Sequence, residues 1–232
     1  MSGSIVSADL RARVRGLAEP VARGFGRLGL TPNHLTLIGF GIAIIAAVAA
    51  AQREWLAAGL LVIFGGVFDL FDGALARATG RVSKLGAFYD SVFDRWGEGV
   101  VYVGIAWGCV SAGFGEGAVL ATAALTSAVM VSYGRAKSES LGFTSGTGMA
   151  NVGLAPREVR LAILTFGLVV LGLLGPIGPT NWTCPLDMDC VPADFYVAGN
   201  IVLGITLGLI AILASITTIQ RILHVRAQAR EG

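Results

Sequence analysis

The chain has 232 residues, of which 54% are hydrophobic and only 14% are charged. A soluble domain of this length would carry more charge, so the composition indicates a membrane protein. The formal net charge of +2 gives no indication of a nucleic-acid partner, and basic residues in such a chain are better explained by membrane orientation and anionic headgroups.

The N-terminal residues predict an amphipathic helix ahead of the first apolar stretch. Apolar side chains alternate with arginines between Val6 and Phe25, a pattern typical of a helix that lies along a membrane interface. Packing of this helix against the flank of the protein itself would produce the same pattern. Residues 1–30 are therefore assigned to a cytoplasmic juxtamembrane helix, resting either on lipid or on the protein.

Six apolar stretches follow, each near the roughly 20 residues that a helix needs to cross a bilayer. They are predicted at residues 34–51, 55–77, 85–112, 117–138, 158–176 and 195–220. Thr31 and Pro32 predict the start of the first helix, and His34 beside them is interpreted as a capping or surface group. We expect an all-α polytopic membrane protein with one six-helix domain over residues 31–222 and a tail over residues 223–232.

Lysine and arginine positions predict the orientation of these helices. Basic residues in short loops stay on the cytoplasmic side. Here they precede the first span, separate the second from the third and the fourth from the fifth, and follow the last. The opposite side has only Arg53, and its loop over residues 177–194 has neither Lys nor Arg. Both termini are therefore predicted to lie in the cytoplasm, with the protein in the cell membrane.

Three cysteines divide into two kinds. Cys109 lies in an apolar span and is interpreted as a small buried side chain. Cys184 and Cys190 lie in the predicted exterior loop, where an oxidising compartment would let them pair. A disulfide between them is a hypothesis of the sequence.

Acidic residues at membrane depth are the strongest functional signal. Asp69 and Asp72 are three positions apart, and Asp90 and Asp94 are four apart, so each pair shares one helix face. The loop around Arg81 is short, which makes the two helices antiparallel neighbours. Because carboxylates are costly inside a membrane, all four are predicted to converge on a polar cavity near the cytoplasmic boundary.

A metal site is the preferred interpretation of this acidic cluster. Oxygen ligands without Cys or His favour magnesium, manganese or calcium, and two ions could bind between the pairs. The alternative is a structural ion-pair network, but Arg77 and Arg95 are too few to neutralise the acids together with Glu98. Glu98 and Arg95 are interpreted as supporting or packing partners.

Several glycines and cations near the acids have two interpretations each. Gly73 and Gly86 could let a bulky polar ligand approach the backbone, or could serve ordinary helix packing. Arg77 could hold a phosphate or simply reach out of the membrane. Five basic residues at cytoplasmic helix ends could surround one anion, although the orientation rule alone would also supply them: Arg135, Lys137, Arg157, Arg160 and Arg221.

A family resemblance rests on these residues taken together. Eight positions match the whole signature of the CDP-alcohol phosphotransferases: Asp69, Asp72, Gly73, Ala76, Arg77, Gly86, Asp90 and Asp94. Four further stretches are similar to bacterial phosphatidylinositol-phosphate synthases: Pro20 to Arg23 with Gly29 to Asn33, Ser132 to Lys137, Arg157 to Arg160, and Gln220 with Arg221. The resemblance covers nearly the whole chain.

The resemblance implies that an acceptor hydroxyl attacks the lipid-linked phosphorus of CDP-diacylglycerol and releases CMP. It implies two Mg²⁺ ions, or Mn²⁺, held by Asp69, Asp72 and Asp90, with Asp94 as the general base that also touches a metal. Asp69, Gly73, Ala76 and Arg77 would then bind the nucleotide. The active site would face the cytoplasm, and the protein would form a homodimer.

The acceptor implied by the resemblance is inositol 1-phosphate. Its phosphate would be bound mainly by Arg135, Arg157 and Arg221, with Lys137 and Arg160 nearby. The family pattern has Lys before Arg where this chain has Arg135 before Lys137, and Pro156 replaces the usual acidic residue. These departures leave glycerol 3-phosphate open as the acceptor.

Two other function classes share part of the pattern. A divalent-cation transporter would place acids on facing helices, but nearer the membrane midplane and without need of Gly73, Ala76 or Arg77. A membrane prenyltransferase would use aspartates and magnesium, but with a DDxxD-type cluster that this sequence lacks.

Overall fold

The computed structural model describes residues 20–143, 152–180 and 194–231, and within these ranges the chain is helical with connecting turns. Six long helices follow one another: α1 Pro32–Ala51, α2 Trp55–Ala78, α3 Lys84–Ser111, α4 Gly115–Ser140, α5 Arg157–Leu174 and α6 Asp194–Glu231. Each lies over one of the six predicted apolar stretches. The all-α prediction is therefore confirmed for the described part of the chain.

The start of α1 is fixed by local hydrogen bonds, as its sequence predicts. The Thr31 hydroxyl accepts from the backbone N–H of His34 at 3.3 Å, and His34 Nδ1 accepts from the Thr31 N–H at 3.4 Å. These two bonds satisfy backbone donors that an α-helix leaves free in its first turn. His34 is thus a capping residue. Ser83 caps α3 in the same way, its hydroxyl accepting from the Gly86 N–H at 3.0 Å.

Four of the helices are long and apolar enough to cross a membrane, counted over the residues that the structure describes: α1, α2, α4 and, within α6, Phe195–Arg230. The other two, α3 and α5, have charged residues in their first turns. The membrane character of the protein follows from these helices and from their surface. Large apolar side chains are exposed along the bundle, among them Ile45, Phe64, Trp107, Phe166, Ile205 and Ile212, as expected for side chains facing lipid.

The last helix is longer than the predicted last span. It continues through residues 223–231, which the sequence assigned to a tail. Neither Gly nor Pro interrupts this stretch, and Gln228 and His224 contact each other one turn apart at 3.1 Å. At about 1.5 Å per residue the helix measures about 57 Å, which exceeds the roughly 40–45 Å thickness of a bilayer with its headgroups.

Small residues set the helix packing. α1 packs against α2 and α3, α4 packs against α3 and α6, and α5 packs against α2 and α6. Gly104 of α3 lies so close to α1 that a methyl group there would collide with the carbonyl oxygen of Ala47. Glycine and alanine let helix backbones approach in this way where lipid gives no hydrophobic force between helices.

The segment before α1 packs on the bundle. Residues 20–27 are helical, Ala22 is fully buried, and the Phe25 ring lies 6.0 Å from Phe68 and 5.6 Å from Phe71 on α2. Val21 on the same segment is 46% exposed. Contact with the flank of the protein therefore holds for this end of the predicted amphipathic helix, while residues 1–19 lie outside the described residues.

Of the three cysteines, Cys109 is buried and free, as predicted. Cys184 and Cys190 lie outside the described residues, so their disulfide stays a prediction of the sequence.

The contact between α1 and α3 makes a testable prediction. Gly104→Ala should lower the thermal unfolding temperature of the detergent-purified protein by several degrees, because overpacking typically costs about 1–3 kcal/mol. Gly41→Ala on α1 is the matched control, since a methyl group there meets no atom within 4 Å. Both changes gain about 1 kcal/mol of helix propensity, so equal melting temperatures for the two variants would contradict the close approach.

Candidate active site at one end of the bundle

Three of the four predicted aspartates line one large cavity. It measures about 620 Å³ and lies between the end of α2 and the starts of α1 and α3. Its walls include all four residues predicted for the nucleotide and two further aspartates: Asp69, Gly73, Ala76, Arg77, Asp72 and Asp90. α1 packs against both α2 and α3, whereas α2 and α3 do not pack closely on each other within the described residues. The prediction that these two helices are direct neighbours is therefore wrong, and the start of α1 between them brings the sequence-predicted residues together.

Arg77 adds a cation to this cavity. A methyl group at Gly73 would lie 3.2 Å from Arg77 Nη1, so the guanidinium folds back over the face that Gly73 leaves open. Gly86, on the other side of the cavity, faces Asn33, whose Oδ1 would be 3.5 Å from a methyl group there. The two signature glycines thus line the cavity wall rather than a contact between helices.

Asp72 is held by a residue that sequence reasoning missed. The Thr36 hydroxyl of α1 donates to Asp72 Oδ2 at 2.7 Å, and both residues are buried. A hydrogen bond to an ionised acceptor is among the strong ones, so α1 orients this carboxylate. No local pattern links two residues 36 positions apart, and only the packing of α1 on α2 reveals the pair.

A second, smaller cavity adjoins the first at Asp69, which lines both. It measures about 40 Å³ and is also lined by Asp94, Arg157 and Glu98. Arg157 bridges two of the acids there, with Nη2 at 2.7 Å from Asp69 Oδ2 and Nη1 at 2.9 Å from Asp94 Oδ2. One guanidinium thus connects α5 to α2 and α3 at once.

This arrangement corrects the charge count made from the sequence, which considered only Arg77 and Arg95 as partners of the acids. Arg157 supplies the missing cation directly. Arg95 instead donates to the carbonyl oxygen of Ser91 on its own helix. The count was wrong because α5 lies more than sixty residues from the acids along the chain, with nothing in the pattern to indicate which helices it faces.

The four predicted metal ligands lie near one another, but they do not converge on a single point. Within the described residues, no three His, Cys, Asp or Glu side chains are close enough together to hold a metal ion. Asp72, Asp90 and Asp94 each lie within electrostatic range of Asp69. The chemistry of the donors, all of them oxygen, fits a hard divalent cation, and the four-aspartate metal site stays a prediction.

Arg160 does not lie at an open pocket, contrary to its predicted role in binding an acceptor phosphate. Its Nε donates to Glu98 Oε1 at 2.9 Å and its Nη2 to Oε2 at 2.7 Å, while Nη1 donates to the carbonyl oxygen of Ala155 at 3.0 Å. Arg160 is 1% exposed and Glu98 5%. A guanidinium at this depth requires such a partner, and all three of its nitrogens are engaged.

The other predicted phosphate ligands lie at the same end of the bundle. Arg221 is buried near Arg135 and Arg160. It donates through Nε to the carbonyl oxygen of Val152 at 3.0 Å, and through Nη1 to that of Val131. Arg135 pairs at 2.8 Å with Glu139 one turn along α4, and Lys137 is exposed. Arg135, Arg160 and Arg221 thus lie near one another, while Arg157, on the same turn of α5 as Arg160, faces Asp69 and Asp94.

The chain is similar to a known protein family and to several of its members. The family model described as CDP-alcohol phosphatidyltransferase matches residues 29–216. An archaetidylinositol phosphate synthase from Pyrococcus horikoshii is 36% identical over 160 residues, which are 68% of this chain and 79% of the relative. A phosphatidylinositol phosphate synthase from Streptomyces avermitilis is 34% identical over 227 residues, which are 96% of this chain and 83% of the relative.

A solved structure shares the fold. The phosphatidylinositol phosphate synthase of Mycobacterium tuberculosis, crystallised with manganese and citrate, superposes with a TM-score of 0.71 at 27% identity over 90% of this chain and 88% of that one. Its structure with CDP-DAG bound gives the same TM-score and covers 92% of that chain. By the match to the family model and to these relatives, the chain belongs to the CDP-alcohol phosphatidyltransferase family.

Proposed function

We propose that the protein transfers the phosphatidyl group of CDP-diacylglycerol to a hydroxyl of inositol 1-phosphate and releases CMP. The observation that carries this proposal is the pair of adjoining cavities that meet at Asp69. One has the room and the signature residues for a nucleotide diphosphate, and the other contains a carboxylate and a guanidinium. Relatives named phosphatidylinositol phosphate synthase, and one solved with CDP-DAG bound, support the choice of substrates.

The larger cavity is the proposed site of the donor. Gly73 and Ala76 leave room beside the backbone of α2, and Arg77 supplies a positive charge for a diphosphate. A volume of about 620 Å³ is within the range of small-molecule sites. Asp69 would face the diphosphate from the inner wall.

The smaller cavity is the proposed site of attack. Asp94 and Asp69 both line it, and its volume of about 40 Å³ admits a hydroxyl group but not a whole acceptor molecule, so Asp94 can receive the proton of a hydroxyl that enters there. The hydroxyl oxygen then forms a bond to the phosphatidyl phosphorus, and the bond from phosphorus to the CMP oxygen breaks. Arg157, already within 2.9 Å of Asp94, is placed to hold the phosphate of the acceptor near its base.

Asp69, Asp72, Asp90 and Asp94 are the proposed ligands of two divalent cations, Mg²⁺ or Mn²⁺, in keeping with the relative solved with manganese. Such ions polarise a phosphoryl group and stabilise the departing nucleotide. Thr36 contributes by fixing the orientation of Asp72.

A phosphorylated acceptor is supported by the basic groups at this end of the bundle: Arg221 lies near Arg135 and Arg160, and Arg157 lies on the same turn of α5 as Arg160. Arg221 is already held at two of its nitrogens, and Arg135 by Glu139, so Arg157 is the proposed principal phosphate ligand. Arg160 is left out of this set because of its pairing with Glu98. Glycerol 3-phosphate is the alternative acceptor, favoured by the exchanged order of Arg135 and Lys137.

We place the site at the cytoplasmic end of six membrane crossings, with both termini in the cytoplasm. The charged residues of α3 and α5 end at Glu98 and Arg160, so residues 99–111 and 161–174 are uncharged. These stretches are shorter than the roughly 20 residues of a full crossing, and the proposed crossings also include the preceding turns, where the charged side chains pair with one another. The basic residues of the chain favour this orientation. A homodimer is part of the proposal on the family resemblance alone.

The role of Asp94 can be tested by Asp94→Asn. CMP release from CDP-diacylglycerol with inositol 1-phosphate should fall at least 100-fold, because a general base contributes about 10²–10⁴. Glu116→Gln, a carboxylate change at the opposite end of the bundle, should stay within about twofold of the parent. Substantial turnover by Asp94→Asn would rule out this residue as the base.

The acceptor can be identified with protein in lipid vesicles supplied with CDP-diacylglycerol and Mg²⁺. Inositol 1-phosphate, inositol, glycerol 3-phosphate and serine would be offered in parallel while CMP is measured. We expect rapid release with inositol 1-phosphate only, because the basic groups at the cavity end of the bundle recognise a phosphate. Turnover with inositol alone would overturn the assignment of Arg157 to an acceptor phosphate.

The orientation can be tested by labelling single cysteines in intact cells with a membrane-impermeant maleimide. In a background with Cys109→Ala, Cys184→Ser and Cys190→Ser, Gln52→Cys should be labelled and Ala78→Cys should not. Both positions are exposed and lie at opposite ends of α2, so they differ only in the side of the membrane. Labelling at position 78 and not at position 52 would show that the protein has the opposite orientation in the membrane.

A further inference from the structure

Two consecutive ion pairs connect α3 to α5. Asp94 and Glu98 are one turn apart on α3, and Arg157 and Arg160 are nearly one turn apart on α5. Asp94 pairs with Arg157 at 2.9 Å, and Glu98 pairs with Arg160 at 2.7 Å. We call Asp94 with Arg157 the outer pair and Glu98 with Arg160 the inner pair. The outer pair contains the proposed base and the proposed phosphate ligand, and the inner pair contains neither.

The inner pair differs from the outer one in depth and in geometry. Its side chains are 1% and 4% exposed, against 27% and 15% for Arg157 and Asp94. Glu98 and Arg160 meet through two parallel hydrogen bonds at 2.9 and 2.7 Å. Bidentate pairs of this kind fix direction as well as distance.

Arg160 also holds the backbone that leads into Arg157. Its Nη1 donates to the carbonyl oxygen of Ala155, and the N–H of Ala155 donates to the Thr217 hydroxyl of α6 at 2.9 Å. Ala155 is two residues before the start of α5. The inner pair therefore connects Glu98 of α3 both to the first turn of α5 and to the segment that leads into Arg157.

Direct helix packing does not supply this restraint. In the described residues, α3 and α5 are absent from the pairs of helices whose backbones pack closely. α5 packs instead on α2 and α6. The side chains of Arg157 and Arg160 reach across to Asp94 and Glu98, so these two ion pairs connect the first turn of α5 to α3.

We propose that Glu98 and Arg160 are positioning residues for the transfer reaction. By restraining the first turn of α5 and the segment before it, they hold Arg157 where it can present the acceptor phosphate to Asp94. The proposal rests on the proposed function, because it concerns the group that Arg157 serves. On this proposal, the buried pair of Glu98 and Arg160 serves the geometry of the acceptor side rather than the stability of the fold.

Energetics favour this interpretation over a purely structural one. Replacing a buried ion pair by apolar side chains of similar size is often neutral or stabilising, because the desolvation of two charges offsets their attraction. A stable bundle therefore has no need of Glu98 and Arg160. If the pair only stabilised the fold, its replacement by a well-packed apolar pair would leave kcat and KM unchanged.

The test is the double variant Glu98→Met with Arg160→Met, which keeps both chain lengths and removes both charges. Its thermal unfolding temperature should stay within a few degrees of the parent. The kcat/KM for inositol 1-phosphate should fall at least about 10-fold, while the KM for CDP-diacylglycerol changes less than about twofold. The KM for CDP-diacylglycerol should change little because Glu98 and Arg160 do not line the proposed donor cavity.

A second background tests whether the pair acts through Arg157. In Arg157→Ala protein, adding the double replacement should cost no further activity, because residues of one network are not additive. The matched control is Glu116→Met with Thr180→Val, which removes a polar contact of 3.0 Å at the other end of the bundle. That control should leave the kinetics of both substrates unchanged.

Each result decides the proposal. Unchanged acceptor kinetics in the double variant, or an additive loss in the Arg157→Ala background, would overturn it. Arg160→Lys, which keeps a charge but loses the fork, should fold and should show the same loss toward the acceptor. Failure of both variants to fold would assign the pair to stability and overturn the proposal. Failure of the parent protein to release CMP with inositol 1-phosphate would instead reject the proposed function.

Discussion

Neutralising carboxylates inside an apolar bundle is the constraint on which this structure depends. Asp72 and Glu98 are nearly inaccessible to water, and a buried charge without a partner costs several kcal/mol. Each has a defined partner, Thr36 for the first and Arg160 for the second. Asp69 and Asp94 share Arg157. Within the described residues, the first turn of α5 thus supplies the two cations that form ion pairs with the acids of α2 and α3.

This arrangement divides the site into parts with different physical properties. The proposed donor side is an open cavity whose glycine and alanine walls leave room for a large polar group. The proposed acceptor side is narrow, and its charged groups are already bonded to one another. A ligand entering the second part must exchange existing ion pairs for its own contacts. In the proposed reaction, selectivity for the acceptor therefore depends on how those pairs are held.

The helices and the acidic faces could be predicted from the sequence because both are local properties. Hydropathy over about twenty residues locates a helix, and spacings of three and four place Asp69 with Asp72 and Asp90 with Asp94 on common faces. The capping of α1 by Thr31 is likewise contained in a few adjacent residues. The length of α6 was underestimated, because hydropathy reports where lipid ends and not where the helix ends.

The partners of the acids could not be predicted, since they depend on the rotation of helices distant in the chain. Arg157 and Arg160 have similar neighbours in the sequence, yet one bridges two aspartates at a cavity and the other is buried against Glu98. Charge placement assigned both to one anion. Thr36 and Asp72 give no local signal at all. Such contacts are set by the small residues that bring particular helix faces together.

The two hydrogen bonds from Arg221 to backbone carbonyl groups have a consequence for biogenesis. Arg221 lies in the last third of α6, yet it donates to Val131 in the second half of α4 and to Val152 ahead of α5. These earlier segments emerge from the ribosome and enter the bilayer while α6 is still unmade. The contacts that join α4 and the start of α5 to Arg221 therefore form only after α6 has been made, so a nascent chain that stops before Arg221 would insert without them.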